Sequence, residues 1–372
     1  MATLAASPGS QSRRYADDVG ILEKSANLLP SLKLEELVTL ILIVTAVFFK
    51  NLSIGVVLGI VLSVYIAIVY GDFIYRSYLT LNRDLSGLYL ILNIKYDLWK
   101  KLRENRGLHE IFLEVVKKNH HKTAMIDIET GRSFTFAAFN KECNRYANFF
   151  QGQGCRAGDV VALFMENSVD FVAAWMGLAK IGVATAWINC NLKREPLAHC
   201  IQTSRAKAII TTRLLRHALD EAIDSELLSS DGMDLYVIGE EEDGNRFTLL
   251  TEKLQSQRTV EPRRLDVIDF KSILCYIYTS GTTGLPKAAV MKHFRYYSMV
   301  MGAAKSFGIY PSDRIYVSMP IYHTAAGILV LSRLVQDESI NLVFNALEQR
   351  VFRLLTGGLR AVFLAICQSY VK

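Results

Sequence analysis

The most constraining feature of this sequence is a nearly continuous apolar run over residues 37–70, interrupted by Lys50 and Asn51. Residues 52–70 carry no charged side chain, and as an α-helix they would extend about 28 Å, close to the ~30 Å hydrocarbon thickness of a bilayer. Residues 37–49 would reach only about 20 Å. The run begins too far from the N-terminus for a cleaved signal peptide. We therefore predict a transmembrane segment at 37–70, with one span preceded by a buried or interfacial turn; a two-span hairpin is the alternative.

The segments on the two sides of this run are an N-terminal extension, 1–36, and a juxtamembrane helical segment, 71–106. Between Asp72 and Glu110 there are seven basic residues against five acidic ones, and the first 36 residues carry four basic against five acidic. Because positive charge collects on the cytoplasmic side of a span, this small excess favours a cytosolic C-terminal portion.

The juxtamembrane segment has an amphipathic pattern. Apolar residues fall near one helical face with basic residues beside them: Leu88, Ile91, Leu92, Trp99 and Leu102. This arrangement is typical of a helix that lies in a membrane interface. An ordinary amphipathic helix packed on the following domain explains the pattern equally well.

Composition excludes several classes of protein. With 51% hydrophobic and 21% charged residues, the chain is neither disordered nor fibrous. Its net charge of +6 is scattered, so a nucleic-acid partner is not predicted. The six cysteines show no metal-ligand spacing, which indicates reduced, mostly buried thiols and no metal site formed by the protein.

After residue 107 the pattern predicts an α/β domain. Apolar runs typical of buried strands, at 160–165 and 183–189, enclose a helical pattern at 169–182. Further strands are predicted at 207–211 and 235–239 around another helical stretch. This alternation implies a mostly parallel sheet with helices on its faces. The charged stretch 240–267 is predicted to be an irregular surface excursion.

A loop suited to polyphosphate follows the predicted strand 273–278, in the stretch "YIYTSGTTGLPK". Its glycines allow several backbone N–H groups to converge on an anion, its hydroxyls add donors, and its lysine adds positive charge. We expect the nucleotide to contact the residues of this loop: Tyr278, Thr279, Ser280, Gly281, Thr282, Thr283, Gly284, Leu285, Pro286 and Lys287. The order of residues excludes the Walker pattern, because Pro286 precedes Lys287 and Ala288 follows it.

The loop resembles the signature of adenylate-forming enzymes, which include acyl-CoA synthetases and luciferases. The resemblance implies that residues 279–287 hold the phosphates of ATP while a carboxylate attacks the α-phosphorus, with Mg²⁺ assisting. A second match, "MPIYHTAAGI", resembles the family motif in which an aromatic–His pair lies beside the acyl passage. It implies that Tyr322 and His323 bind substrate and that His323 is a catalytic residue that orients the carboxylate or adenylate.

The intervening sequence resembles the fatty acid transport proteins, a branch that comprises the very-long-chain acyl-CoA synthetases. The stretches that carry this resemblance are "GDVVA", the glycine-ended helix at 169–182 and "NLKREPL" at 191–197. It implies an N-terminal membrane helix followed by part of an adenylate-forming large domain, at 107–330. It also implies a long-chain fatty acid substrate, coenzyme A as co-substrate, and a place in the plasma membrane or endoplasmic reticulum.

Beyond Val330 the resemblance is lost, and residues 331–372 are predicted to be a divergent tail of apolar helices or strands. The family's ribose-binding aspartate and C-terminal catalytic lysine are not recognisable there. We therefore expect a truncated ligase that is weak or inactive by itself. The alternative is a catalytically incomplete membrane protein that acts as a binding module, through homo-oligomers or association with a full-length copy.

Overall fold

The structure is a computed structural model, and it describes residues 34–48, 54–127, 130–239, 246–279, 284–306, 314–317, 319–335 and 341–344. The chain divides into two compact units, residues 1–87 and 88–372, with the boundary inside a continuous helix. The part of the tail beyond residue 344 lies outside the described residues.

The N-terminal apolar sequence forms helices. Helix α1 comprises Leu34–Phe48, so the expected turn before the span is a 15-residue helix. Helix α2 comprises Ile54–Glu104 and continues without a break through the predicted boundary at residue 71. Within the described ranges α2 is the one helix whose length and composition would let it cross a membrane. The choice between one span and a hairpin depends on residues 49–53, which lie outside the described ranges.

The second unit alternates helices and strands as predicted. Its further helices are α3 (Leu108–Asn119), α4 (Phe136–Gly152), α5 (Val169–Lys180), α6 (Arg194–Ser204), α7 (Arg213–Asp224), α8 (Leu250–Gln255), α9 (His293–Ser306) and α10 (Thr324–Val335). Its strands are β1 (Thr123–Asp127), β2 (Ser133–Thr135), β3 (Val160–Phe164), β4 (Ala184–Trp187), β5 (Ala208–Thr212), β6 (Asp234–Ile238), β7 (Thr248–Leu249), β8 (Ile273–Thr279), β9 (Lys287–Lys292), β10 (Arg314–Val317) and β11 (Asn341–Phe344).

A seven-stranded sheet forms the centre of this unit, in the order β7-β6-β5-β3-β4-β8-β9. All neighbouring pairs are parallel except β8 with β9, which confirms the predicted mostly parallel sheet. Both faces are covered. Val161 and Leu163 contribute to one buried cluster, whereas Val160, Ala162 and Phe164 contribute to the other. Burial on both faces explains why β3 is a continuous apolar run.

A second sheet of four strands, in the order β10-β11-β1-β2, was not predicted. Its β11 pairs in parallel with both β1 and β10, so residues 341–344 of the predicted divergent tail belong to the folded unit. The predicted boundary at 330/331 falls inside α10. These strands are short and distant in sequence, so no local periodicity indicated that they pair.

The prediction of an irregular excursion at 240–267 was partly wrong. Strand β7 and helix α8 lie within it, and the buried side chains of Leu250 and Leu254 stabilise them. Further along, Thr259 and Glu261 are held by side chains of α4. A segment this short gives too few residues for a periodic pattern to be recognised.

The end of α2, residues 88–104, belongs to the second unit and packs along one side against the rest of that unit. Lys305 Nζ in α9 donates to Asn93 Oδ1 at 2.7 Å and forms an ion pair with Asp97. Leu98 packs against the main buried cluster. The predicted alternative of a helix packed on the following domain is therefore correct for this side of residues 88–104.

Candidate functional site

Parallel strands bring several polar residues to one edge of the large sheet. Strands β3, β4, β5 and β8 run in the same direction, so their carboxyl ends share an edge. Polar residues lie within four positions of these ends: Glu166 and Asn167 after β3, Asn191 after β4, and Thr279 at the end of β8. This is the edge at which open α/β sheets bind ligands.

The predicted phosphate loop connects β8 to β9 at this edge. The two strands are antiparallel, and Thr279 pairs with Lys287, so the loop is a hairpin connection whose ends lie side by side. Both side chains are exposed. Residues 280–283, which include Ser280, Gly281, Thr282 and Thr283, lie outside the described residues. Gly284 has φ +95°, a conformation that an L side chain rarely adopts, which accounts for glycine there.

Helix α6 anchors both arms of this hairpin. The hydroxyl of Tyr278 donates to the carbonyl oxygen of Cys200 at 2.7 Å, just before the loop. After the loop, Nε2 of His199 lies 3.1 Å from the carbonyl oxygen of Pro286. Burial raises the pKa of Tyr278 well above its usual value, so the phenol remains a protonated donor. Two consecutive residues of one helix therefore fix the entrance and the exit of the loop.

The aromatic–His motif is attached to the same edge. Oδ1 of Asn167 accepts from the backbone N–H of Ile321 at 2.7 Å, and Nδ2 donates to the carbonyl of Met319 at 2.8 Å. Nδ2 of Asn191 donates to the Tyr322 hydroxyl at 3.2 Å. Residues following β3 and β4 thus place the segment 319–322.

Within this motif, Tyr322 is buried and His323 is exposed. Their rings are 5.4 Å apart with an interplanar angle of 35°, so the phenol ring supports one side of the imidazole. Burial raises the pKa of Tyr322 to about 12, which keeps its hydroxyl protonated. His323 lies directly before α10, where its carbonyl accepts from Gly327 N at 3.0 Å. Helix N-termini favour negative charge, which suits a carboxylate or phosphate beside this residue.

Gly327 allows α10 to approach an aromatic cluster closely. A Cβ at this position would lie 2.6 Å from the Tyr296 hydroxyl and 2.7 Å from a ring carbon of Trp187. Trp187 and Trp175 pack edge to face with centroids 4.6 Å apart, and Tyr296 contacts both rings. The first turn of α10, and with it His323, is therefore positioned by a rigid aromatic layer.

The donors at the hairpin fit a polyphosphate. A lysine ammonium and a threonine hydroxyl lie exposed at adjacent positions of Lys287 and Thr279, and such groups are hydrogen-bond donors to phosphate oxygens. The described residues contain no cluster of three or more His, Cys, Asp or Glu that could hold a metal ion. Mg²⁺ characteristically binds through substrate phosphates together with one or two carboxylates.

Sequence reasoning missed the residues that place the two motifs. Asn167, Asn191, His199 and Cys200 were given no role, although 191–197 was noted as a stretch of the resembled branch. A usable signal existed for Asn167, because a polar residue within a few positions of the carboxyl end of a buried parallel strand is expected at the ligand-binding edge. The contact from Cys200 is made by its backbone carbonyl oxygen, which every residue type has, so the sequence could not have indicated it.

Comparison with known families gives a match over most of this unit. The family described as "AMP-binding enzyme" matches residues 112–340. The match includes the hairpin and the Tyr322–His323 motif, and it extends past residue 330, where the sequence resemblance was expected to end.

Individual proteins agree with this match. The chain is 37% identical over 253 residues to long-chain fatty acid transport protein 1 of Homo sapiens, covering 67% of this chain and 39% of that protein. It is 33% identical over 235 residues to crotonobetaine/carnitine–CoA ligase of Citrobacter koseri, covering 59% of this chain and 42% of that protein. A solved fatty acyl CoA synthetase of Mycobacterium tuberculosis shares the fold, with a TM-score of 0.59 and 24% identity over 67% of this chain and 47% of that one. The chain thus spans well under half the length of these curated relatives.

Proposed function

The chain belongs to the AMP-binding enzyme family, and from this premise we propose that it activates long-chain fatty acids as an acid–CoA ligase. A carboxylate oxygen of the fatty acid forms a bond to the α-phosphorus of ATP, and pyrophosphate leaves. The thiol of coenzyme A then forms the thioester, releasing AMP and a proton. Support comes from the similarity to a long-chain fatty acid transport protein and to a CoA ligase.

The observation that carries the proposal is the attachment of both motifs to one edge of the sheet. Thr279 and Lys287 stand at the closed end of the hairpin, and Asn167 and Asn191 hold the Tyr322–His323 segment at the same edge. An activation reaction requires a phosphate subsite and a carboxylate subsite side by side.

Each group has a role in this scheme. Lys287 Nζ and Thr279 Oγ1 donate to phosphate oxygens and oppose the negative charge that develops on departing pyrophosphate. His323, exposed beside the N-terminus of α10, orients the carboxylate, and Tyr322 limits the movement of the imidazole ring. Bound Mg²⁺ would add Lewis-acid polarisation of the phosphates.

We extend the proposal to a long-chain fatty acid as the substrate and to a membrane as the location. A fatty acid with a long chain partitions into the bilayer, and α2 is apolar enough to keep the enzyme at that surface. We place the protein in the plasma membrane or endoplasmic reticulum with the second unit in the cytosol, where ATP and coenzyme A are available.

The direct test uses the full chain in phosphatidylcholine vesicles with oleate, ATP, Mg²⁺ and coenzyme A, measuring oleoyl-CoA and AMP. Lys287→Ala is expected to lower kcat by about 10²-fold or more, since it removes a charge contact to the transferring group. Lys292→Ala, at the other end of the same strand and also exposed, is the matched control and should keep full activity. Release of ADP instead of AMP, or AMP release independent of the fatty acid, would contradict the proposal.

The two half-reactions separate the remaining possibilities. Hydroxylamine traps an acyl-adenylate as a hydroxamate without coenzyme A, so it measures the first step alone. If the isolated chain gives neither product but raises the activity of a co-reconstituted longer family member, the partner-module alternative is supported. The expectation that the chain by itself is weak or inactive stays a prediction that this pair of assays decides.

A further inference from the structure

The end of helix α2 presents two chemically different sides, and among the described residues only one side contacts the rest of the second unit. Asn93, Asp97 and Leu98 contact α9 and the main buried cluster. The opposite side remains exposed and is rich in large apolar and aromatic residues: Leu88, Tyr89, Ile91, Leu92, Tyr96, Trp99 and Leu102. We call this exposed side, within residues 88–103, the aromatic face.

The charges of this segment are separated between the two sides. The one acid within residues 88–103, Asp97, pairs with Lys305, and the next residue after the segment, Glu104, pairs with Lys101 and Arg106. Three exposed cations border the aromatic face: Lys95, Lys100 and Arg103. In the described part of the chain none of the three forms an ion pair, so the aromatic face carries positive charge without compensating acids.

The aromatic residues are arranged for an interface between water and lipid. Tyr96 and Trp99 stack with centroids 6.1 Å apart, and the guanidinium of Arg103 lies 4.8 Å from the centre of the Trp99 ring. Tryptophan and tyrosine side chains are enriched at the headgroup level of bilayers, where one end is apolar and the other is hydrated. Leucines at the same face supply the apolar surface that such binding requires.

We propose that the aromatic face docks the second unit onto a lipid surface that contains anionic phospholipid. A second copy of the chain is a poorer occupant, because two such faces would bring Lys95, Lys100 and Arg103 against their own counterparts. An anionic bilayer complements these charges and accepts the leucine and tryptophan side chains. This docking is separate from the ligase chemistry. Together with a span at residues 54–70 it requires α2 to bend between the two segments, because a straight helix would carry residue 88 about 27 Å beyond residue 70.

The tryptophan content of the chain provides a specific probe. There are three tryptophans, and Trp175 and Trp187 are 0% and 1% exposed, whereas Trp99 is 53% exposed. Phosphatidylcholine brominated on its acyl chains quenches only tryptophan that it contacts, so quenching reports Trp99. The full chain is reconstituted into brominated vesicles with or without phosphatidylserine, and Trp99→Phe confirms the origin of the signal.

We expect strong quenching in vesicles containing phosphatidylserine, weak quenching without it, and loss of the difference at high salt. The variant K95E/K100E/R103E should lose docking by on the order of a hundredfold, because each basic residue beside an anionic surface contributes about fivefold. The matched control K117E/K253E/K271E makes the same charge change at exposed lysines on other elements and should dock like the parent. Circular dichroism checks that both variants fold.

Three results would overturn the proposal. Quenching that is equal with and without phosphatidylserine would remove the role of charge, and quenching unchanged in K95E/K100E/R103E would do the same. Protection of Trp99 from both brominated lipid and aqueous acrylamide would show that a protein, such as a second copy, covers the face.

Discussion

The Tyr278 hydroxyl donates a 2.7 Å hydrogen bond to the carbonyl oxygen of Cys200, joining the strand that enters the predicted phosphate loop to helix α6. The neighbouring residue of that helix, His199, contacts the carbonyl of Pro286 where the loop ends. The loop is therefore held at both ends by consecutive residues of helix α6. This support fixes the positions of Thr279 and Lys287, because binding groups keep a defined geometry only when the surrounding structure is rigid.

Removing this anchor should loosen the loop. Tyr278→Phe deletes the hydrogen bond to Cys200 and should lower the free energy of unfolding by about 1 kcal/mol, the usual net worth of one hydrogen bond. We expect a larger KM for ATP, measured by AMP formation at saturating oleate. Tyr276→Phe is the control, because Tyr276 lies on the same face of β8 two residues earlier and packs in the same cluster. An equal change of KM in both variants would contradict the role of the Tyr278 bond.

Asn167 fixes the backbone before Tyr322 through two hydrogen bonds. Asn167→Ala should destabilise the protein by about 1–3 kcal/mol, because it leaves partly buried backbone groups without partners. It should also lower kcat, since His323 loses its support. Asn148→Ala also removes two side-chain hydrogen bonds, to the carbonyls of Arg258 and Val260. That control should lose stability while kcat at permissive temperature is unchanged; a similar fall in kcat would assign the effect to stability alone.

How far the sequence predicts this site is clear from Asn167 and Thr279. The strand before each residue is a buried apolar run, so its location and the shared edge follow from the pattern. The pairing of β11 with β1 does not follow, because Asn341–Phe344 and Thr123–Asp127 are short and more than 200 residues apart. A contact between a side chain and a distant backbone carbonyl, such as that of Cys200, does not depend on the type of the accepting residue, so the sequence does not predict it.

Gly327 should be intolerant of even one methyl group. In Gly327→Ala the new Cβ would meet the Tyr296 hydroxyl at 2.6 Å and Trp187 at 2.7 Å, so we expect a loss of about 1–3 kcal/mol from overpacking. Gly302→Ala in α9 has nothing within 4 Å and should stabilise its helix by about 0.5–1 kcal/mol. Thermal unfolding of the two variants compares them directly.

The predicted clash between a Cβ at position 327 and the Tyr296 hydroxyl can be tested with a double variant. The Tyr296 hydroxyl is buried, with no hydrogen-bond partner among the residues the structure describes. Tyr296→Phe removes the atom that the new methyl group would strike, so the double variant Y296F/G327A should recover part of the lost stability. Strict additivity of the two changes would show that the predicted clash does not occur.

A buried histidine pair should make the fold sensitive to acid. His109 and His293 face each other with ring centroids 6.2 Å apart, and Nδ1 of His293 accepts from the backbone N–H of Leu108 at 3.0 Å. Burial lowers the pKa of His109 to about 3, helped by the charges of His293, Lys180 and Arg264. Burial also lowers the pKa of His293 to about 4, and Asp269 opposes that shift.

Both histidines have folded pKa values below the unfolded value of about 6.5. At a pH between the folded and the unfolded pKa, the unfolded chain therefore binds more protons than the folded protein. Stability should therefore be complete above pH 6.5 and fall as the pH drops toward 4, by about 1.4 kcal/mol per pH unit for each histidine. Urea midpoints at pH 7 and pH 5 measure this fall. His293→Asn keeps an acceptor for the backbone N–H of Leu108 and should reduce this dependence of stability on pH.

The side chain of Lys180 is only 1% exposed in the second unit. Its ammonium donates to Asn140 and Asn144 at 2.6 Å and to Glu261 at 2.8 Å. Burial favours the neutral carboxyl of Glu261, yet the lysine charge and the amide donors lower its pKa on balance. The group thus ties the extended segment around Glu261 to helix α4.

Removing the charge of Lys180 alone should lower the free energy of unfolding more than removing the charges of both Lys180 and Glu261. Lys180→Met leaves Glu261 and two amide oxygens without their donor. We expect a loss of about 1–3 kcal/mol, less than for a fully buried pair, because the Glu261 side chain is 46% exposed. Adding Glu261→Gln removes the uncompensated charge, so the double variant should be more stable than Lys180→Met alone. Equilibrium unfolding in urea measures all three proteins. A double variant less stable than the single one would mean that Glu261 stabilises the segment without the help of Lys180, through its bonds from Asn140 and Asn144.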